Sequence, residues 1–231
     1  MPAPDPPHPT APAETDPPDP ALPPRSGRRQ QAARNDAVIL EAAREVFIAN
    51  PRAPVSAVAA TAGVGISALY KRYASKEDLL RTLCHDGLVT YIQVAEAALL
   101  IEDGWTALVT FLRQIVAADV HSLTVHLAGT FRPSPEMYED SQRAAELAAE
   151  LFERGRAAGR MRPDVMLGDI SFLLEGAAAV RLPDPVRTAE LRQRYTALFI
   201  DALAASDAEP LPVPPPTGEE LNWRWAAAAS A

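Results

Sequence analysis

The sequence predicts an all-α fold: an N-terminal three-helix unit followed by a larger helical bundle. Three observations carry the prediction. Apolar residues recur at helical spacing in segment after segment. No stretch alternates apolar and polar residues over the length of a strand. The breaks between segments fall at Gly, Pro, Asn and Asp, residues that cap or end helices. The chain has 231 residues, 48% of them hydrophobic, enough for a substantial core. It contains no apolar run of about 18 residues, and its start is proline-rich and acidic where a secretory signal is basic and then apolar. We therefore expect no membrane span and a cytoplasmic location. The single cysteine, Cys84, excludes an internal disulfide and a cysteine-cluster metal site, and inside a helical pattern it reads as packing.

Residues 1–24 carry a proline at nearly every second or third position and almost no large apolar side chain, so disorder is expected. The stretch from Arg25 to Arg34 follows as a basic arm, suited to a minor groove or to phosphates, or simply solvated. Asn35 or Asp36 can cap a first helix with Val38, Ile39, Ala42, Ala43, Val46 and Phe47 on its inner face, ending near Asn50-Pro51.

A second helix from Val55, preceded by Pro54, stops at Gly63. A third buries Leu69 and Tyr73 and leaves Tyr70, Lys71 and Arg72 largely free. Two short helices meeting at a glycine turn suit a helix-turn-helix with its second helix in a DNA groove, and equally an ordinary helical hairpin of a bundle. Ser75-Lys-Glu-Asp78 is a capping box opening a helix of roughly 25 residues, long enough to join two units.

Beyond the break at Glu102-Asp-Gly104 the pattern predicts helices from Trp105 to about Val120, His121 to Phe131, Glu136 to Ala158, Asp164 to Arg181 and Pro185 to Ala205. The last two carry Ile170, Leu173, Leu174, Ala177 and Val180, then Leu191, Tyr195, Leu198, Phe199, Ala202 and Leu203, as inner faces. From Ser206 a proline-rich tail is expected to be extended, with Trp223-Arg-Trp225 disordered or loosely docked.

The net charge of −8 speaks against nucleic acid if averaged over the chain. Between Arg25 and Arg81, however, ten basic residues stand against five acidic, so this segment is +5 and the remainder −13. A basic module on an acidic body fits DNA binding by the first part and another task for the second.

From Ala59 to Leu79 the residues become specific. Ala59-x-x-Ala62-Gly-Val64, then Leu69-Tyr-Lys-Arg-Tyr73-x-Ser-Lys-Glu-Asp-Leu79, resemble the DNA-binding domain of TetR-family transcriptional regulators, over about Asp36 to Leu83. The resemblance implies a DNA-binding domain over 25–82, a ligand-binding and dimerisation domain over 83–205, and a tail over 206–231. It implies that Gly63 and Val64 make the turn, that Ile66 and Ser67 face base edges, and that Tyr70, Lys71 and Arg72 touch phosphates or neighbouring bases. Lys76, with the helix start at Ser75 to Glu77, would hold a further phosphate, and Arg34 would lie on the DNA side. Gly65, Ile66 and Pro54 depart from the family's common pattern, which leaves base preference open.

The resemblance further implies a homodimer, through the helices at about 164–181 and 185–205, on a palindromic double-stranded operator in the bacterial nucleoid. A small-molecule effector would release a repressor, with activation left open. Candidates for the effector pocket are Tyr91, Trp105, Phe111, Ile115, His121, His126 and Phe172, with Arg113 or Glu175 as polar partners. No metal spacing, nucleophile motif or phosphate loop supports an enzyme, and no cofactor is expected. A DNA-independent helical adaptor is the alternative.

Overall fold

The computed structural model describes residues 25–204 and 209–229. Ten helices follow one another among them: α1 Arg25–Ala49, α2 Val55–Ala62, α3 Ile66–Arg72, α4 Lys76–Leu99, α5 Gly104–Ala117, α6 Val120–Leu127, α7 Pro135–Ala157, α8 Leu167–Ala179, α9 Pro185–Leu203 and α10 Gly218–Ala229. The expected disorder of residues 1–24 lies outside the described residues. Packing divides the chain at Asp36, with Met1–Asp36 one unit and Ala37–Ala231 the other.

Helix α1 begins ten residues earlier than its expected cap, because Gln30, Gln31, Ala32 and Ala33 are good helix formers and nothing between Arg28 and Asp36 interrupts them. The basic stretch is therefore helical along its backbone, where an arm was expected. Val38, assigned to the inner face, is 50% exposed, while Ile39, Ala42, Ala43 and Phe47 are buried.

Two apolar clusters organise the larger unit. The first joins α1 to α4 through Phe47, Val58, Leu69, Tyr73, Leu79 and Leu83, and it extends onto Leu123 and Leu127 of α6, Phe131, and Met137 of α7. The first helices thus share one core with the body. Cys84 packs against this cluster, and burial pushes its thiol up to about 12, so it is a packing residue. The second cluster joins α4, α5, α7, α8 and α9 through Trp105, Leu108, Phe111, Ile115, Leu147, Leu151 and Leu203.

Close approach between α5 and α7 requires a glycine: a Cβ on Gly104 would stand 2.3 Å from the carbonyl oxygen of Arg154. The Arg154 guanidinium in turn accepts the orphan carbonyls at the end of α4 as partners, donating to Leu99 at 2.7 Å and to Ile101 at 2.5 Å. His85 of α4 pairs with Asp140 of α7 at 2.7 Å.

Between α5 and α6 the chain turns by 61°. Asp119, at the bend, has φ 53° and ψ 31°, the one left-handed non-glycine among the described residues. Aspartate tolerates this region better than most residues, yet the conformation still costs free energy, on the order of 1 kcal/mol.

Helix α9 departs from its expected register. Tyr195 and Leu198, assigned to its inner face, are 41% and 51% exposed, and Ala202 is exposed too. The buried face is instead Thr188, Arg192, Thr196, Ile200 and Leu203. The buried face mixes Thr188, Arg192 and Thr196 with Ile200 and the expected Leu203, and it turns inward where Arg192 finds its partners. Its guanidinium pairs with the Asp119 carboxylate and donates to the carbonyls of Ala178 at 2.8 Å and Val180 at 2.9 Å.

The terminal segment is also more ordered than the proline pattern implies. Asp164, bridged to Arg162 at 2.7 Å, accepts from the amide of Leu211 at 2.8 Å, and Arg162 donates to the carbonyl of Glu209. A Cβ on Gly168 would meet Pro216 at 2.8 Å, so the tail lies directly on the start of α8. Residues 218–229 are helical, with Thr217 and Glu220 exchanging capping hydrogen bonds.

Candidate nucleic-acid interface

Helix α2 ends because Gly63 takes φ 67° and ψ 27°, a conformation that costs a side-chain-bearing residue more than glycine. The amide of Gly63 bonds to the carbonyl of Ala60 at 3.2 Å and that of Val64 to Ala59 at 3.0 Å, closing the turn. No side chain caps α2 at Pro54 or α3 at Gly65, so neither helix start carries the hydroxyl that would aid a phosphate contact there.

Helix α3 is seven residues long and only Leu69 is buried. Leu69 is fully enclosed, and Tyr73, just past the helix end, is 5% exposed. Together they fasten the helix to the α1–α4 core. The remaining side chains, Ile66, Ser67, Ala68, Tyr70, Lys71 and Arg72, point away from it, with Ile66 39% and Tyr70 49% exposed. An exposed isoleucine and tyrosine beside two cations, on a helix held by one anchor, form a surface with apolar, hydroxyl and cationic groups within two turns. Arg34 is exposed on α1.

Lys76 is engaged differently from its expected phosphate contact. Its Nζ donates to the carbonyls of Pro51 at 2.8 Å and Ala53 at 2.7 Å, and it sits 5.0 Å from the centre of the Phe47 ring. Burial lowers its pKa. Two of its three N–H bonds are thus committed to the corner between α1 and α2, because that corner presents carbonyls with no helical partner. Sequence spacing gave no signal for this, since the carbonyls lie 23 and 25 residues upstream.

The Ser75 cap predicted for α4 is present, whereas the Asp78 side chain reaches back to the amide before the cap and not to that of Ser75 itself. Ser75 Oγ accepts from the amide of Asp78 at 3.0 Å, and Asp78 accepts from the amide of Ala74 at 3.0 Å. Glu77 and Asp78 both pair with Arg81, and Arg81 reaches the carbonyl of Arg132 at 3.1 Å.

The pocket candidates fall into two sets. Tyr91 and Phe111 stack edge to face at 5.2 Å, and Tyr91 lies 6.1 Å from the His121 ring. Ile115 and His121 line one small cavity with Val116, Asp119, Leu174, Ala178 and Arg192. The others are elsewhere. Trp105 is buried with Arg160 over its ring at 5.6 Å, and His126 Nδ1 is 2.9 Å from the Ser122 carbonyl of its own helix. Phe172 is 39% exposed, and Arg113 is exposed, so neither faces this interior. The polar residues sequence reasoning missed are Arg192 and Asp119. Arginine inside an apolar helix pattern was the available signal.

Two family models match the chain. Residues 39–83 match bacterial regulatory proteins of the tetR family, and residues 103–205 match the C-terminal domain of SbtR-like transcriptional regulators. The chain belongs to the TetR family. It is a DNA-binding transcriptional regulator.

Solved TetR structures share the fold. A TetR transcription regulatory protein from Mycobacterium vanbaalenii is 26% identical with a TM-score of 0.52, over 77% of this chain and 99% of that one. The TetR-like regulator LfrR from Mycobacterium smegmatis, solved in complex with proflavine, is 22% identical with a TM-score of 0.57, over 78% and 99%. CprB from Streptomyces coelicolor A3(2) is 18% identical with a TM-score of 0.56, over 87% and 97%. No curated protein matches the chain in sequence.

Proposed function

We propose that this TetR-family protein is a homodimeric repressor that leaves a palindromic operator when a small molecule enters its helical body. The observation that carries the proposal is α3: one buried anchor, Leu69, beneath a surface of Ile66, Ser67, Tyr70, Lys71 and Arg72. Ile66 and Ser67 read base edges at the helix start. Tyr70, Lys71 and Arg72 hold phosphates or flanking bases, and Arg34 is a further cation for the DNA backbone. In this reading residues 25–82 bind DNA, and residues 83–205 pair and sense.

Pairing is supported by a face that a lone chain leaves in water. Phe172, Gly176 and Ala179 of α8 and Tyr195, Leu198 and Ala202 of α9 are all exposed and follow helical spacing. Burying them against the same residues of a second chain removes apolar surface from solvent and presents two α3 helices about 34 Å apart, one DNA turn. LfrR was solved with proflavine, which supports small-molecule sensing by this fold.

Selection of binding sites from random duplex DNA by the full chain tests the proposal. The expected product is an inverted repeat with half-sites about one turn apart, whose sequence preference changes on Ser67→Ala. Enrichment of unpaired half-sites, or no enrichment at all, would overturn it.

A further inference from the structure

The proposal that follows rests on the ligand-responsive reading and deepens it by naming a ligand class. At the bend between α5 and α6, two guanidinium groups share one carboxylate. Arg192, 6% exposed, pairs with Asp119, and Arg44 of α1 stands 4.0 Å from the same carboxylate while donating to the Asp119 carbonyl at 3.0 Å. Ser122, fully buried, hydrogen-bonds both Asp119 and Arg192. Arg192 is buried while the Arg44 and Asp119 side chains are 22% and 32% exposed, so two cations share one anion at the edge of the core and the cluster can accept further negative charge.

A second observation points to a ligand site. His121 lines the cavity beside Arg192 and Asp119, and its Nδ1 is sealed from solvent without a hydrogen-bond partner. Buried polar atoms of this kind are rare and call for a partner. Burial holds this imidazole down at about 4, so it is neutral near pH 7 and can present either tautomer.

Next to this polar end lies an apolar one. Leu112, Val116, Leu173, Leu174, Phe199 and Leu203 line a second cavity, which shares Val116 and Leu174 with the first. Each cavity is small as it stands, so a ligand that occupies both must part α5, α8 and α9.

We propose that the Arg192–Asp119 pair is the head-group site for an anionic amphiphile, a carboxylate on an apolar body. The carboxylate exchanges with Asp119 on Arg192 and takes further hydrogen bonds from Ser122 and from His121 in its Nδ1–H form. The apolar body fills the space along Val116 and Leu174. Asp119, in its strained left-handed conformation, loses the partner that pins it, and the Arg44 contact to α1 loosens with it.

Calorimetry of the full chain with decanoate, 1-decanol and decylamine tests this assignment. Decanoate is expected to bind at least about tenfold tighter than either isostere, the gain of one charge-assisted hydrogen bond or more. Asp119→Asn removes the competing carboxylate and is expected to tighten decanoate about tenfold, whereas a purely structural Asp119 would give equal or weaker binding. Arg192→Gln is expected to abolish the preference for decanoate over decanol. Should that variant fail to fold, the Asp119→Asn arm alone decides.

Equal binding of the three probes, or no tightening in Asp119→Asn, would overturn the head-group site. Retention of the unliganded chain on duplex DNA reads the regulator assignment separately. DNA binding without carboxylate selectivity sinks only the head-group site, and carboxylate selectivity without DNA binding sinks only the regulator reading.

Discussion

Arg44 Nη1 donates to the main-chain carbonyl of Asp119 at 3.0 Å, tying α1 to the bend between α5 and α6. Asp119 is also the partner of Arg192 on α9, so one residue touches both α1 and the helix proposed to pair the dimer. Arg44→Leu is expected to cost about 1–3 kcal/mol, because it removes a charge-assisted hydrogen bond and leaves a carbonyl short of a partner. Urea unfolding would show the loss. Hydrogen exchange should accelerate in α1 more than in α7.

Lys76 and Lys71 should separate into two kinds of behaviour. Lys76→Ala strips donors from Pro51 and Ala53 and is expected to destabilise the fold by about 1–3 kcal/mol. Lys71→Ala, on an exposed position, is expected to leave the urea midpoint nearly unchanged and to flatten the slope of log K against log salt by about one unit. The same slope change in both variants would show that Lys76 reaches phosphate with its remaining proton.

The exposed stripe on α9 predicts an oligomeric outcome. Tyr195→Glu with Leu198→Glu places charge on two positions that are 41% and 51% exposed in one chain, so helix content should persist. If these residues face a second copy, dimerisation should weaken at least about a hundredfold through desolvation of like charges. Sedimentation velocity reads the change, and affinity for an inverted repeat should fall in parallel.

Protonation of His121 supplies a pH test. Its folded pKa, about 4, lies below the ordinary 6.5 because burial penalises the charged ring, with Asp119 pulling weakly the other way. The unfolded chain therefore binds a proton that the folded chain refuses across this window. Stability is complete above 6.5 and declines as pH falls toward 4, by up to about 1.4 kcal/mol per unit. His121→Phe should flatten that part of the profile. Asp164, held at about 2 by its bond to Arg162, contributes stability that is lost only at lower pH, outside the window.

The features legible in the sequence are those whose causes are local. Gly63 ends α2, Ser75 and Asp78 cap α4, and Leu69 and Tyr73 are enclosed, because turn geometry, capping and i, i+4 periodicity act over a few residues. The exposure of Tyr70, Lys71 and Arg72 follows from the same periodicity, whereas that of Ile66 and Ser67 was implied by the family resemblance. The inward face of α9 was not legible. Its apolar stripe at Tyr195 and Leu198 reads as core, since periodicity locates a face but cannot say whether the protein's own interior or a second surface covers it.

Sequence alone determined that the chain is helical, that Gly63 divides α2 from α3, and that Tyr70, Lys71 and Arg72 of α3 are exposed. Tertiary structure decided the roles of Lys76, Asp119 and Arg192. Each is a charged group with partners far along the chain, at Pro51 and Ala53 for Lys76, at Arg44 and Arg192 for Asp119, and at Asp119 and Ser122 for Arg192. A charge enters a protein interior only where the fold supplies oriented partners, and that supply exists only once distant segments have met.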